Sequence, residues 1–347
     1  MNKLTKVGLS ALCGSLAAVS AANAGDMTVT GGVDMSWMSK GGGDATTGNP
    51  IGMGSNLTFK GSGELDNGWT FDLTVAMLNN DAYSNTNVTV TMGGLGKIDF
   101  NSGNSGNGVD AMDDKMPTAW EEPWGAGLGT GVQLVAGIGK NSNVQYTLPT
   151  MGGITLVGAV APDMGSADVA DNANGSDEGD TTGAGYDATV NINPSFGLEA
   201  LSGLNLFVGG HYTDHYDETA HLNNRYEGVG GVTLDIGPIS LGYATSGIST
   251  GLQGAADVDF YKNHMYGIAF NVNDDLSVSY GKHESQQGFV NPNAGESVDM
   301  DITSAQIAYS VGGASIRLAD LSVDNAAYQT AAIYDKDAKV LSVSLAF

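Results

Sequence analysis

Apolar and polar residues alternate with a period of two through most of this chain. In Trp69-Thr-Phe-Asp-Leu-Thr-Val-Ala-Met77, Trp69, Phe71, Leu73, Val75 and Met77 share one face and Thr70, Asp72 and Thr74 the other. Successive side chains of a strand point to opposite faces, so this pattern predicts strands with one greasy and one wet side. The same split recurs at Val29/Val33/Met35/Trp37 against Thr28/Thr30/Asp34/Ser36, and at Val232/Leu234/Ile236 against Thr233/Asp235. It closes the chain, where Leu341, Val343, Leu345 and Phe347 alternate with Ser342, Ser344 and Ala346. Sixteen strands are predicted, near 27–38, 55–64, 68–78, 86–93, 97–101, 143–149, 153–161, 185–192, 203–213, 225–236, 239–246, 260–272, 275–284, 299–311, 314–323 and 338–347.

The connections organise these strands. Short ones, such as Leu65-Asp-Asn-Gly68, Gly93-Gly-Leu-Gly96, Gly237-Pro238, Asn273-Asp274 and Gly312-Gly313, alternate with long polar ones at 39–54, 102–142, 162–184, 214–224 and 285–298. One end of the fold then has tight turns and the other has loops, as in a bacterial outer-membrane barrel. A charge such as Asp72 is costly in lipid, so the polar face must line a wet interior. The fold class predicted is all-β, a transmembrane antiparallel β-barrel. A secreted β-protein of adhesin or surface-layer type shares the alternation and stays open as the alternative; detergent dependence on extraction separates the two.

The ends and the composition agree with export. Lys3 and Lys6 precede an apolar run from Val7 to about Ala21, and Ala22-Asn23-Ala24 supplies small residues for cleavage, so residues 1–24 read as a secretory signal and 25–347 as the barrel. The single cysteine, Cys13, lies within that signal, which leaves no disulfide or thiolate site in the mature chain. No later stretch approaches the ~20 apolar residues of a membrane helix. The 52 Gly and 13 Tyr suit turns and strands rather than helices. The net charge of −25 becomes −27 without Lys3 and Lys6, which repels nucleic acid and suits a surface facing cations.

Three stretches resemble Gram-negative general diffusion porins: Leu57-Thr-Phe-Lys-Gly61 followed by Glu64-Leu-Asp-Asn-Gly-Trp69, Gly93-Gly-Leu-Gly-Lys-Ile-Asp-Phe100, and Asn143-Val-Gln-Tyr-Thr-Leu-Pro149 with Gly152-Gly-Ile-Thr155. With the terminal Phe347 and the signal, the likeness spans the mature chain. The resemblance implies a sixteen-stranded barrel, usually a homotrimer, passing small hydrophilic solutes and ions without chemistry. It also places a pore-narrowing loop between strands 5 and 6. Here that connection, about 102–142, is the longest in the chain, and loops of such length are usually functional. It carries Asp110, Asp113, Asp114, Lys115, Glu121 and Glu122, with Trp120 and Trp124 to pin it to the wall.

Carboxylates in a narrow pore attract cations and repel anions. A solvated external acidic loop is the plainer reading of the same residues. Porins of this type commonly oppose such acids with wall arginines, and the chain departs from that pattern: Asn56 stands where the family often has arginine, Asn101 ends the fifth strand, and Arg225 and Arg317 are the only two arginines. Alternation points Lys60 and Arg317 into the lumen. The positive half of the pore is expected to be weak and the channel to prefer cations.

Other sites follow from residue type alone. His211, His215 and His221, near Asp214, Asp217 and Glu218, are a possible transition-metal cluster without a fixed scaffold, and solvated histidines are the plainer reading. The acidic run Asp163 to Asp180, with Asp168, Asp171, Asp177 and Glu178, suggests at most loosely bound Ca or Mg bridging lipopolysaccharide, without calcium-loop spacing. No cofactor is predicted. An outer-membrane hydrolase would need His264 or His283, the latter followed by Glu284 and Ser285. Tyr146, Tyr186, Tyr212, Tyr226, Tyr243, Tyr266, Tyr280 and Tyr309 are placed as interfacial girdles, and outward Gly228 and Gly230 as a close-packed patch suited to subunit contact.

Overall fold

The computed structural model describes residues 26–43, 48–79, 81–164, 182–194, 201–215, 222–292 and 295–346. Sixteen antiparallel strands pair in sequence order and close, β1 on β16. They are β1 (Met27–Gly42), β2 (Ile51–Glu64), β3 (Thr70–Leu78), β4 (Asp81–Thr91), β5 (Lys97–Ser102), β6 (Asn143–Thr147), β7 (Ile154–Ala161) and β8 (Thr182–Ile192). The circuit continues with β9 (Leu204–His215), β10 (Arg225–Ile236), β11 (Ile239–Ser249), β12 (Val258–Asn271), β13 (Leu276–Phe289), β14 (Val298–Val311), β15 (Ala314–Asp324) and β16 (Lys336–Ala346). Every strand predicted from the alternation is present. Several run further at the loop end, β1 to Gly42, β2 from Ile51 and β13 to Phe289, because backbone pairing needs no apolar alternation once the strands leave hydrocarbon. Residues 1–24, Phe347, His221, Asp217, Glu218 and the acids at 168, 171, 177 and 178 lie outside the described residues.

No helix among the described residues is long and apolar enough to cross a membrane. Closure instead leaves no sheet edge, so every strand finds its backbone partners within the wall. Register aligns the outward apolar side chains into continuous rows: Trp37 faces Leu341, Leu341 faces Leu318, Leu318 faces Ile307, and Ile307 faces Val278. The eight tyrosines placed as girdles point outward as the alternation predicts, whereas Tyr261 and Tyr328 face the interior. Tyr186, Tyr212 and Tyr226 share one row, their ring centroids 6.2 and 5.4 Å apart.

The polarity of the two faces is not uniform around the barrel. At the loop end of β14, Asp299, Asp301 and Thr303 point outward while Met300, Ile302 and Ser304 point inward and are buried, the reverse of the greasy-outside rule. Lys262 and His264 of β12 and Lys282, Glu284 and Gln286 of β13 continue this outward polar belt, with Lys282 bonded to Glu284 at 2.5 Å and 3.5 Å from Asp301. These strands have 14 residues each. At about 3.3 Å per residue and a tilt of about 40° they rise about 35 Å, more than the ~25 Å apolar band of such barrels, so the belt stands above the hydrocarbon. Inside, Phe207, Val229, Ala244, Met265, Met300, Ile302, Leu321, Val323 and Val340 form apolar surfaces on β9 to β16, while β1 to β6 present Asn, Thr, Asp and Lys. The apolar half of the lumen face is covered by the loop that follows β5.

Candidate pore constriction

That loop enters the barrel as a hairpin whose base is closed by the Gly103 N–H on Lys140 O. Its first limb packs a 3-10 turn, Gly108–Met112, against β8 to β10, burying Val109, Met112 and Met116 on Phe207, Val229, Ala244, Ile248 and Met265. Pro117 then lies on Gly242 and Gly267, where an added Cβ would come within 2.4 and 2.9 Å of its Cδ. The Ala119 N–H donates to Ser279 Oγ at 2.8 Å. Gln306 acts as a substitute strand: its Oε1 accepts from Trp120 N and Glu121 N, each at 3.0 Å, and its Nε2 donates to Glu121 O at 2.6 Å. Ala126 and Leu128, flanked by Trp120 and Trp124, complete a second apolar cluster on β14 to β16.

The returning limb is held by two wall carboxylates. Glu227 Oε2 accepts from Ala136 N at 2.7 Å and Gly137 N at 2.9 Å, and its Oε1 accepts from Arg225 Nε at 2.7 Å. Asp187 Oδ2 takes Val109 N of the first limb at 2.7 Å and Ile138 N of the return at 3.3 Å, so one carboxylate staples both limbs. Its Oδ1 meets His211 Nδ1 at 2.5 Å. Asp187, His211 and Glu227 are all buried. Charge-assisted bonds of this kind are stronger than neutral ones, and a buried carboxylate needs them. Such a network fixes a loop of 40 residues, 103–142, between Ser102 and Asn143 without any disulfide.

The loop therefore lines the wall from β7 round to β16, touches β6 through the Gly108 N–H on Gln145 Oε1 at 2.8 Å, and leaves open lumen beside β2 and β3, where Asn56, Lys60 and Asp72 are exposed. Its acids are crowded and partly desolvated. Burial first, then Asp114, Asp110 and Glu122, pushes the Asp113 carboxyl up to about 8. Burial and then Asp114 raises Glu122 to about 7. Burial also raises Asp110, Asp114 and Glu121, and lowers Lys115 against the pull of Asp114. Arg317 sits 3.3 Å from Asp34 and 5.5 Å from the Trp120 ring centroid, close enough to Glu121 to stabilise its charge. On the turn side of the loop, Trp120, Glu121, Asn271, Asp274, Asp275 and Arg317 line a cavity of about 770 Å³.

A sequence model of the Gram-negative porin family matches residues 8–347. The chain belongs to that family. This porin is a channel of the bacterial outer membrane through which solutes diffuse, and its fold carries no catalysis. Among solved structures, the chain is similar to a porin refined at 1.8 Å (14% identity, 93% of this chain and 100% of the other, TM-score 0.67). It is also similar to Salmonella typhi OmpF in complex with daunomycin (12%, 94% and 99%, 0.68) and to the anion-selective porin from Comamonas acidovorans (12%, 93% and 99%, 0.65). No curated protein is similar to it in sequence.

The porin places the predicted wall residues differently from one another. Asn56 and Lys60 are exposed on the lumen face of β2, and Arg317 reaches the lumen from β15, as alternation predicts. Asn101 does not line open lumen: it is 5% exposed, bonded to Asn87 on one side and to Asn143 Oδ1 at 2.9 Å on the other, in an amide ladder across β4, β5 and β6. Arg225 does not oppose the loop acids either, since it is committed to Glu227 behind the returning limb.

The porin's histidines also part company. His211 faces inward with both ring nitrogens engaged, by Asp187 and by Thr213 Oγ1 at 2.5 Å, whereas the His215 ring meets Asn223 O at 2.8 Å. No group of three metal-ligating side chains forms among the described residues. His264 points outward against Tyr243; His283 and Ser285 share the inward face, but His283 Nε2 meets Asn263 Oδ1 at 3.0 Å and Ser285 Oγ meets the Tyr328 hydroxyl at 2.7 Å, while Glu284 points outward, so the histidine and serine are not bonded to one another. Nothing in the sequence marks Asp187, Glu227, Gln306 and Ser279 as anchors of the loop. A polar inward residue reads alike whether it meets water or a loop backbone.

Proposed function

We propose that the porin is a general diffusion channel with a preference for cations, narrowed by residues 103–142. The observation that carries this is the imbalance of charge across the open lumen. Asp110, Asp113, Asp114, Glu121 and Glu122 outnumber Lys115 on the loop, and face Lys60 and an Arg317 already shared between Asp34 and Glu121. Fixed carboxylates in a narrow aqueous path raise the local concentration of cations and exclude anions. The similarity to a porin described as anion-selective supports looking to lumen side chains, rather than to the barrel, for the sign of the preference.

Export, assembly and surroundings complete the proposal. Residues 1–24 are removed as a signal, the mature chains form a homotrimer, and the outward polar belt meets lipopolysaccharide headgroups. The similarity to the trimer form of Vibrio cholerae OmpT (13% identity, TM-score 0.65) supports the assembly. Swelling of liposomes carrying the purified protein tests the transport reading. Small neutral and cationic solutes are expected to enter faster than anionic ones of equal size. Equal entry of cationic and anionic solutes would remove the charge argument, and no entry of any solute would remove the channel.

A further inference from the structure

Between β15 and β16 the chain makes a turn that its residue types do not favour. Asn325, Ala327 and Tyr328 have φ of 59°, 53° and 58°, the left-handed region, and none is glycine. Asparagine tolerates it, but for alanine and above all tyrosine it is a strained conformation, held only where surroundings determine it. Asn325 N donates to Asp335 Oδ1 at 3.0 Å and Asn325 Nδ2 to Asp299 O at 2.8 Å, which fixes the start of the turn on β14.

The rest of the turn grips the pore loop. Ala327 N donates to Thr130 O at 2.7 Å, and Gln133 N donates to the Tyr328 hydroxyl at 3.1 Å. The same hydroxyl is 2.7 Å from Ser285 Oγ on β13, and the Tyr328 ring packs at 5.2 Å on Tyr261 of β12. Tyr328 is 5% exposed. Gly131 has a φ of +72°, which favours glycine, and a Cβ there would lie a tight 3.1 Å from Ala327 Cα, so the two backbones are in close contact.

We propose that this turn is a strained latch for residues 130–133 of the pore loop, and that Tyr328 is a positioning residue for the constriction. The latch joins the loop at its turning limb, where neither Asp187 nor Glu227 reaches. Tyr328 is walled off from the lumen by burial, so it influences passing ions only through where it holds the loop. Strain opposes the latch and the hydroxyl bonds secure it, so the two can be moved in opposite directions. The proposal rests on residues 103–142 being the constriction; it is independent of the sign of the selectivity.

The test is single-channel recording in planar bilayers, with heat-modifiable migration as the check that the barrel is folded. Tyr328→Phe keeps the ring on Tyr261 and removes the hydroxyl, and brief closures and substates are expected to become about tenfold more frequent. Ala327→Gly relaxes the backbone without touching a bond, and is expected to make them about fivefold rarer. Unchanged open-channel noise in Y328F, or the two variants moving in the same direction, overturns the latch. If Y328F yields no barrel, Ser285→Ala removes the wall-side bond alone and must raise the noise in its place. Glu121→Gln, read by reversal potential, separates the underlying premise: a shift there with quiet Y328F channels defeats the latch alone, and no shift defeats the constriction on which it depends.

Discussion

Raising the pH from 6 to 9 should strengthen cation preference. Glu122 titrates at about 7 and Asp113 at about 8, both raised chiefly by burial and then by neighbouring carboxylates, so this interval adds about two negative charges to the constriction. For an ion passing about 7 Å from a carboxylate, the interaction in water-like surroundings is about 0.6 kcal/mol, and 0.1 M salt about halves it. A carboxylate attracts the cation and repels the anion, so each shifts the cation-to-anion permeability ratio by about 0.6 kcal/mol, or about threefold, and two shift it about sevenfold. The assay is the reversal potential in a potassium chloride gradient, measured at each pH, with Asp113→Asn/Glu122→Gln expected to flatten the profile. A ratio that stays constant or falls from pH 6 to 9, or a double variant that keeps the full rise, would refute the reasoning. Stability has the opposite sign. Both groups hold protons more tightly in the folded chain than at their ordinary values of 3.8 and 4.5, so their contribution is fully present below those values and is lost as pH rises through about 7 and 8.

Other perturbations have equally definite outcomes. Asp187→Asn weakens bonds to Val109 N, Ile138 N and His211 together, and should cost about 2–3 kcal/mol, read as a lower urea midpoint with increased flicker of the open channel. Lys60→Gln removes a lumen cation and should raise the permeability ratio about threefold at 0.1 M salt, measured by reversal potential. Gly267→Val places a side chain against Pro117, whose O and N lie 2.9 and 3.0 Å from the added Cβ, so the loop moves toward the pore axis and single-channel conductance falls. Unchanged conductance in that variant would mean that the loop does not need its seat on β12.

The strands were legible because each one obeys a local rule: Phe71, Leu73 and Val75 face lipid, and Asp72 and Thr74 do not, whatever the rest of the chain does. The order of turns and loops gave the barrel, and length singled out 102–142. What could not be read is set by distant pairing. Asp187 takes Val109 N across 78 residues, Glu227 takes Ala136 N across 91, and Gln306 takes Trp120 N across 186, and no pattern near these residues distinguishes an anchor from a solvated lumen group. Local polarity misleads at Met300 and Ile302, which point inward because the pore loop's cluster, including Ala126 and Leu128, covers them, while Asp299 and Asp301 stand above the bilayer. Asn101 fails for a related reason, since its amide is consumed by Asn87 and Asn143. The turn at Asn325, Ala327 and Tyr328 carries no glycine to announce its left-handed backbone; tertiary bonds impose it.

The most direct test of a cation-preferring channel is the reversal potential of the purified, detergent-extracted protein in a planar bilayer under a potassium chloride gradient at neutral pH. The account predicts stepwise conductance and a potential whose sign shows potassium more permeant than chloride. Chloride more permeant than potassium, or no steps from a folded, heat-modifiable barrel, would contradict it.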